Sequence, residues 1–508
     1  MTRRAAIAAP NPFCTQAALE ALASGGTAVD AAVAAVVTAT VTEPGIVAPL
    51  GGCYVAVWPP DGDPVVIDAN VEMPGRGADP DRFGSGLIEC VTTYGGGLTT
   101  YAGPGSVATP GLFAGLGVAH QRFGHAPWHE LFHTAALTVR DGFHLSQTAA
   151  SYLDLVAHTI FGWDEVTRAR YTDDGRSLPA GHLIRDEKLA ASLEQIAAEG
   201  WASLYTGDLA TAIARDMQER GGLLTAEDLA AYRPVLRPAL GARLGAWRLA
   251  CNPPPSIGGP VLTAMVRALG DIDGPVTPIE AARAMKAVLD LRLHRVDVAE
   301  DLEAAGHELL QIIEQLGDLG LPTSASTAHV SVVDSEGLAC AITASAGYGS
   351  GMTITGTGML ANNALGEPEL NRRGLHALEP GTRLASNMAP TTGRHEDGSV
   401  LAIGTPGADR ITTALLQVLL HFCIHGEELQ HAVNAPRLHV RHLDDGTVRI
   451  DHERDEELAQ ALTEQDLPTH EHPPLSMYFG GVGAALRGPD GTLTAAADPR
   501  RASATAVG

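Results

Sequence analysis

The residue types best suited to chemistry sit on one predicted hairpin. Ser326-Thr327-Ala328-His329-Val330-Ser331-Val332-Val333-Asp334 and Leu338-Ala339-Cys340-Ala341-Ile342-Thr343-Ala344-Ser345 read as two strands joined by Asp334-Ser335-Glu336-Gly337. Asp first and Gly last fit a three-residue loop, Ser335 to Gly337, with Gly337 left-handed. That loop opposes Asp334 to Leu338 and, counting back, Thr327 to Ser345 on one sheet face. A two-residue loop would oppose Thr327 to Ala344 and send Ser345 to the other face. Two opposed hydroxyls at a strand mouth are either a nucleophile with its orienting partner or an ordinary cross-strand pair. Spacing alone slightly favours the ordinary pair.

The rest of the composition narrows the chemistry by exclusion. The 59 acidic residues outnumber the 34 basic ones, for a net charge of −25, which argues against nucleic acid and anionic membrane surfaces as partners. No HExxH pattern occurs among the 20 histidines, and the six cysteines (Cys14, Cys53, Cys90, Cys251, Cys340, Cys423) show no metal-ligand spacing. No metal or other cofactor is expected, and the cysteines are expected to be buried thiols. The first residues are basic but lack an apolar run before Pro10, so neither a signal peptide nor a membrane span is expected, and the cytoplasm is the expected compartment.

The elements that must carry the hairpin follow from pattern. An apolar helix is predicted over residues 12–41, capped by Thr15 and broken at Gly25-Gly26. Tyr54–Trp58 and Pro64–Asp68 read as a buried hairpin with its turn in Pro59–Asp63. Residues 111–230 and 278–318 read as helical, and Arg410–Ile424 as one helix. From residue 327 onward strands dominate. The 508 residues show no linker composition and no repeat, and a hydrophobic content of 45% is ample for a core. Strands at both ends with helices between predict a single unit of two stacked sheets covered by helices.

Several short runs, taken in order, resemble the gamma-glutamyltranspeptidase family of N-terminal-nucleophile hydrolases. They are Ala23-Ser-Gly-Gly-Thr-Ala-Val-Asp-Ala-Ala32, Gly221-Gly-Leu-Leu-Thr-Ala-Glu-Asp-Leu229 with Tyr232, and Pro253-Pro-Pro-Ser-Ile-Gly-Gly259. Thr327-Ala-His-Val-Ser-Val-Val-Asp334, Asn362-Asn363, Met388-Ala-Pro-Thr391, Gly404-Thr-Pro-Gly407 and Asn434-Ala-Pro-Arg437 follow. The resemblance implies the αββα sandwich and a precursor cut between Ser326 and Thr327. The pieces, 1–326 and 327–508, would stay associated, and Thr327 would become an N-terminal nucleophile whose own α-amine (reference pKa about 7.7–8.0) is its base. It implies further that Ser345 orients Thr327, in place of a threonine. The N–H groups of Gly407 and Ala408, usually two glycines, would form the oxyanion hole.

The resemblance also marks departures, all in the pocket for a small-molecule substrate. The arginine that normally grips a substrate carboxylate falls on Asn70, which cannot supply a bidentate charged fork. An asparagine becomes Gly347, a glutamine and an aspartate become Ala364 and Glu367, and paired serines become Ser386-Asn387. Asn363 is counted among the substrate contacts, and Glu367 is expected to meet a substrate amine. Arg76 and Arg372-Arg373 are the anion-binding alternatives, with Arg76 kept as a substrate-contact candidate. The short stretch from Asn363 to Ser386 implies a reduced lid and an open cleft. The chain resembles the cytoplasmic actinobacterial branch in 4-alkylproline biosynthesis (lincomycin, hormaomycin, pyrrolobenzodiazepines), which hydrolyses a C–C bond and releases an oxalyl-type fragment. The lost arginine and the absent signal peptide are consistent with that branch. The alternatives are a gamma-glutamyl hydrolase or transferase, a cephalosporin-acylase-like amidase, and a non-catalytic structural or binding member.

Overall fold

The computed structural model describes residues 3–92, 97–270, 274–316, 327–443, 445–463, 467–501 and 503–508. Runs of small and β-branched residues build two central sheets. The seven-stranded sheet runs, in spatial order, Val235–Pro238, Val65–Ala69, Gly52–Trp58, Ala339–Ser345, Ala328–Asp334, Ala5–Ala9 and Ala504–Val507. The six-stranded sheet runs Leu240–Leu244, Trp247–Cys251, Thr391–His395, Val400–Gly404, Gly483–Arg487 and Leu493–Ala497. Strand pairs within both are antiparallel. Each sheet combines strands from both sides of position 327.

Between the sheets the core is mostly small: Ala6, Ala56, Ala339, Ala341, Ala402 and Ala485, with Tyr54, Trp58 and Met388 as the bulkier fillers. Small inner faces let the sheets interdigitate closely. Helices cover both outer faces. Ala28–Thr42, buried at every position, lies against the first sheet; Gly258–Ala268 and Arg410–Leu419 lie against the second, and Pro278–Leu291 packs on Gly258–Ala268. This is the expected αββα sandwich.

The predicted first helix is two, Pro12–Ala23 and Ala28–Thr42. Asn11, not Thr15, caps the first by accepting from the Cys14 N–H, while Thr15 lies inside the helix and donates to the Pro12 carbonyl at 2.9 Å. Thr27 caps the second through a reciprocal box with Asp30. The region 111–230 is largely helical but contains two short strand pairs, Phe143–His144 with Leu183–Ile184 and Thr172–Asp173 with Arg176–Ser177. The helical stretch from 278 consists of Pro278–Leu291 and Leu302–Leu316, its last two predicted residues lying outside the described residues. All six cysteines are free and five are buried. Among the described residues no helix is long and apolar enough to cross a membrane.

Candidate active site

The hairpin adopts the three-residue-loop register. Ala328 pairs with Ala344 and Val333 with Ala339, so Thr327 stands opposite Ser345. Gly337 has φ +84°, and the Asp334 carboxylate accepts from the backbone N–H groups of Ala28, Glu336 and Leu338, pinning the turn to the helix layer. Thr327 is 3% exposed. Ser345 accepts a hydrogen bond on Oγ from the Gly347 N–H at 3.0 Å and pairs on its other side with Gly52. Ser326, and with it the expected cut, lies outside the described residues.

Thr327 walls two narrow cavities of about 30 Å3 each, room for about one water apiece. Ser345, Gly347, Asn70, Ala364, Glu367, Ser386, Asn387 and Ala408 line the first with it. Sequence positions far apart thus converge as expected, with three exceptions. Asn363 does not line it: Oδ1 accepts from the Tyr348 N–H at 2.6 Å and Nδ2 donates to Thr100 and Tyr101, so its amide holds loops together. Arg76 does not line it either, but pairs with Asp228 and Glu72. Gly407 is absent from the lining, although its neighbour Ala408 is present.

No guanidinium lines this cavity among the described residues. Asn70 donates from Nδ2 to the Leu384 carbonyl at 2.8 Å. Beneath it Arg383 donates to the Asn70 carbonyl, pairs with Glu72 at 2.8 Å and Asp68 at 3.3 Å, and stacks over Tyr232. Leu370 and Ala385 also wall a larger neighbouring cavity of about 370 Å3, where Arg237, Arg372, Arg373 and Arg383 face Asp297, Glu300 and Glu303. Among the described residues, cationic groups therefore lie beside this first cavity and not in it.

Glu367, expected to meet a substrate amine, sits in an environment that disfavours its charge. It is 3% exposed, and its Oε2 has no hydrogen-bond partner among the described residues. Burial, reinforced by the charge of Glu369, holds its carboxyl well above the usual carboxylate range. Burial and Glu369 thus favour the protonated form of Glu367 over the anion that would pair with an amine.

The Gly404–Arg410 turn carries the two residues expected as backbone donors. Gly407 has φ +135° and Ala408 has φ +69°, a left-handed conformation uncommon for alanine. Among the described residues no acceptor bonds the N–H of either. Thr405 braces the turn by donating to the Pro406 carbonyl at 2.6 Å while accepting from the Gly481 N–H at 2.9 Å.

The second cavity was not foreseen. Glu43, Thr148, His329, Pro406 and Arg501 line it with Thr327. His329 contacts Thr343 at 2.8 Å and Ser331 at 2.7 Å through its two ring nitrogens, and burial pushes it down to about 3. Burial pushes Glu43 up to about 7, against the opposing effects of Asn11 and Arg501. The period-2 placement of His329 after Thr327 was a legible signal; Glu43 and Arg501, near opposite ends of the chain, gave none.

One cluster has metal-ligating types: His421, His425 and Glu427. His421 already bonds Glu427 at 2.8 Å, and His425 Nε2 accepts from the Val276 N–H at 3.1 Å. It lines neither cavity at Thr327.

This geometry accompanies a clear kinship. Residues 14–508 match the gamma-glutamyltranspeptidase family. The chain is 30% identical to the Acylase ACY 1 proenzyme of Pseudomonas sp. (strain SE83), covering 97% of this chain and 92% of that protein. It is 29% identical to the glutathione hydrolase proenzyme of Escherichia coli (strain K12), covering 97% and 90%. Among solved structures, an LmbA2991 variant superposes with a TM-score of 0.80 at 21% identity, covering 99% of this chain and 98% of that one. Cephalosporin acylase from Bacillus halodurans superposes with a TM-score of 0.77 at 21% identity, covering 99% and 96%. The chain belongs to the gamma-glutamyltranspeptidase family, enzymes of hydrolase and transferase type built on the αββα fold.

Proposed function

We propose that this chain is a self-processing threonine hydrolase, cut between Ser326 and Thr327 into residues 1–326 and 327–508. Thr327 Oγ attacks a substrate carbonyl, with Ser345 orienting it and the freed α-amine taking its proton. The N–H groups of Gly407 and Ala408 hold the oxyanion. Collapse of the tetrahedral intermediate expels the leaving group and leaves an acyl-threonine, which water hydrolyses. The observation that carries this reading is the convergence of Thr327, Ser345 and Ala408 on one cavity.

For the bond broken, we favour C–C hydrolysis next to a carbonyl, with release of an oxalyl-type fragment. Two features support it. The cavity lacks a guanidinium to grip a glutamyl carboxylate, and burial beside Glu369 favours a protonated Glu367, the form that could protonate a departing carbon. Asn70, Gly347, Ser386 and Asn387 then act as uncharged contacts. The pathway this reading implies is specialised-metabolite 4-alkylproline biosynthesis. Buried free thiols fit a reducing, cytoplasmic setting. A second reading, amide hydrolysis, is favoured by the acylase relative at 30% identity.

The test compares a dicarbonyl-bearing proline derivative, an acyl amide and a gamma-glutamyl anilide on processed protein. Turnover of the dicarbonyl compound, abolished by Thr327→Ala, is the expected result. Exclusive turnover of the amide would replace the first reading with the second.

A further inference from the structure

Before cleavage the nitrogen of Thr327 is an amide, its lone pair drawn into the preceding carbonyl, and it cannot accept a proton at neutral pH. The base of the mature protein does not yet exist, so self-processing needs another. Four ionisable side chains line the two cavities that Thr327 walls: Glu367, Glu43, His329 and Arg501. Arg501 is permanently protonated. Glu367 lines the other cavity, where burial and the charge of Glu369 disfavour the anion that a base must be. Both ring nitrogens of His329 are engaged by hydroxyls, and burial makes it a poor base.

We propose that Glu43, at the end of the Ala28–Thr42 helix, is the base that activates Thr327 in the uncut chain. The inference rests on the reading of Thr327 as the nucleophile. Asn11 fixes the carboxylate by donating to Glu43 Oε1 at 2.7 Å, and Asn11 is itself the cap of the preceding helix. Glu43 and Thr327 wall one cavity large enough for water, and among the described residues no hydrogen bond joins them, so the proton passes through a water molecule. Glu43 is nearly buried and titrates near neutrality, where a base works best. The charged and titratable groups around it are Arg501 and His329 in the cavity and the Cys14 thiol behind it.

The step balances. The Thr327 Oγ–H proton passes to the Glu43 carboxylate, and Oγ bonds to the Ser326 carbonyl carbon. The C–N bond then breaks, its electron pair staying on nitrogen, which takes the proton back from Glu43. The product is an ester between Ser326 and Thr327 Oγ. Water hydrolyses it, giving a carboxylate on Ser326 and a free hydroxyl and amine on Thr327.

The test follows full-length chain made by cell-free translation, with intact mass recorded over time between pH 5.5 and 8.5. Wild-type processing should accelerate with pH and level above about 7, as Glu43 ionises. Glu43→Gln keeps an acceptor for Asn11 and should slow processing by about a hundredfold or more, while Glu43→Asp should recover part of the rate. Hydroxylamine, which cleaves esters, should release no fragment from Glu43→Gln, placing the block before the ester. Processing of Glu43→Gln at the wild-type rate, or a flat wild-type pH profile, overturns the proposal. If Glu43→Gln does not fold, the wild-type profile and the aspartate variant decide. A normal Glu43→Gln beside an uncut Thr327→Ala removes Glu43 alone; a cut Thr327→Ala removes the underlying reading instead.

Discussion

Replacing Gly407 by alanine should separate a backbone-donor mechanism from mere packing near Thr327. A Cβ at Gly407 would lie 2.8 Å from Cα and 3.4 Å from N of Gly480. Both are backbone atoms and cannot swing aside. The φ of +135° is itself reserved for glycine, and holding alanine there costs on the order of 1–3 kcal/mol. The relief open to the chain is to shift the Gly407–Ala408 peptide, which carries a proposed donor. Losing one such donor costs about 2.7–4 kcal/mol in the transition state, roughly a hundredfold to a thousandfold in rate. Ala408→Gly is the counterpart: φ +69° suits glycine, and the N–H is kept. The assay is acylation of Thr327 by p-nitrophenyl acetate, read as p-nitrophenolate release per processed chain and as added mass on the 327–508 fragment. Gly407→Ala should acylate at least about a hundredfold more slowly, and Ala408→Gly within about threefold of wild type. An unimpaired Gly407→Ala, or an equally impaired Ala408→Gly, would refute the assignment.

Thr327→Ala should remain a single uncut chain by mass spectrometry, whereas wild type resolves into residues 1–326 and 327–508. Gamma-glutamyl anilides should be poor substrates of fully processed protein. The charged bond absent at Asn70 alone is worth about 1.5–3 kcal/mol, roughly a tenfold to hundredfold loss in kcat/KM. Glu367→Gln should lower turnover of the carbon-cleaved substrate while leaving self-processing intact, whereas equal loss of both would place Glu367 in the scaffold. Asp409 should contribute to acid sensitivity: burial raises its carboxyl, but Arg410 and His439 outweigh this and hold it below the usual range. Its stabilising contribution is present above the unfolded carboxylate pKa of about 4 and is lost as pH falls below it. Asp409→Asn should therefore lose roughly 3–5 kcal/mol at pH 7, a gap that closes towards pH 2 in thermal melts.

Local rules made the hairpin readable. Asp334 and Gly337 dictate the loop, the loop dictates the register, and the register dictates that Thr327 faces Ser345. The convergence of Asn70, Glu367 and Ser386-Asn387 was readable only through resemblance, since no periodicity joins segments so far apart. Three features were not readable. Asn363 looked like a contact because its type suits one, but its amide is used by Tyr348, Thr100 and Tyr101. Glu367 reads as an anion in sequence, and only the fold shows that burial and Glu369 oppose its charge. Glu43 follows an apolar helix and reads as its polar end; only the closing of the sandwich brings it beside Thr327.

The sharing of each sheet between the two segments has a consequence for how the molecule dies. In the seven-stranded sheet, Ala5–Ala9 lies between Ala328–Asp334 and Ala504–Val507, and Ala339–Ser345 abuts Gly52–Trp58. A cut before Thr327 would break no sheet hydrogen bond and leave every strand with its neighbours. Yet once such a molecule is melted, its two polypeptides diffuse apart, and regaining the sheet becomes a second-order event between chains that each lack a complete sheet. The uncut chain refolds at a rate independent of concentration; the cut one must find its complement. Maturation would thus turn an equilibrium fold into a kinetically guarded one, its lifetime set by the unfolding barrier.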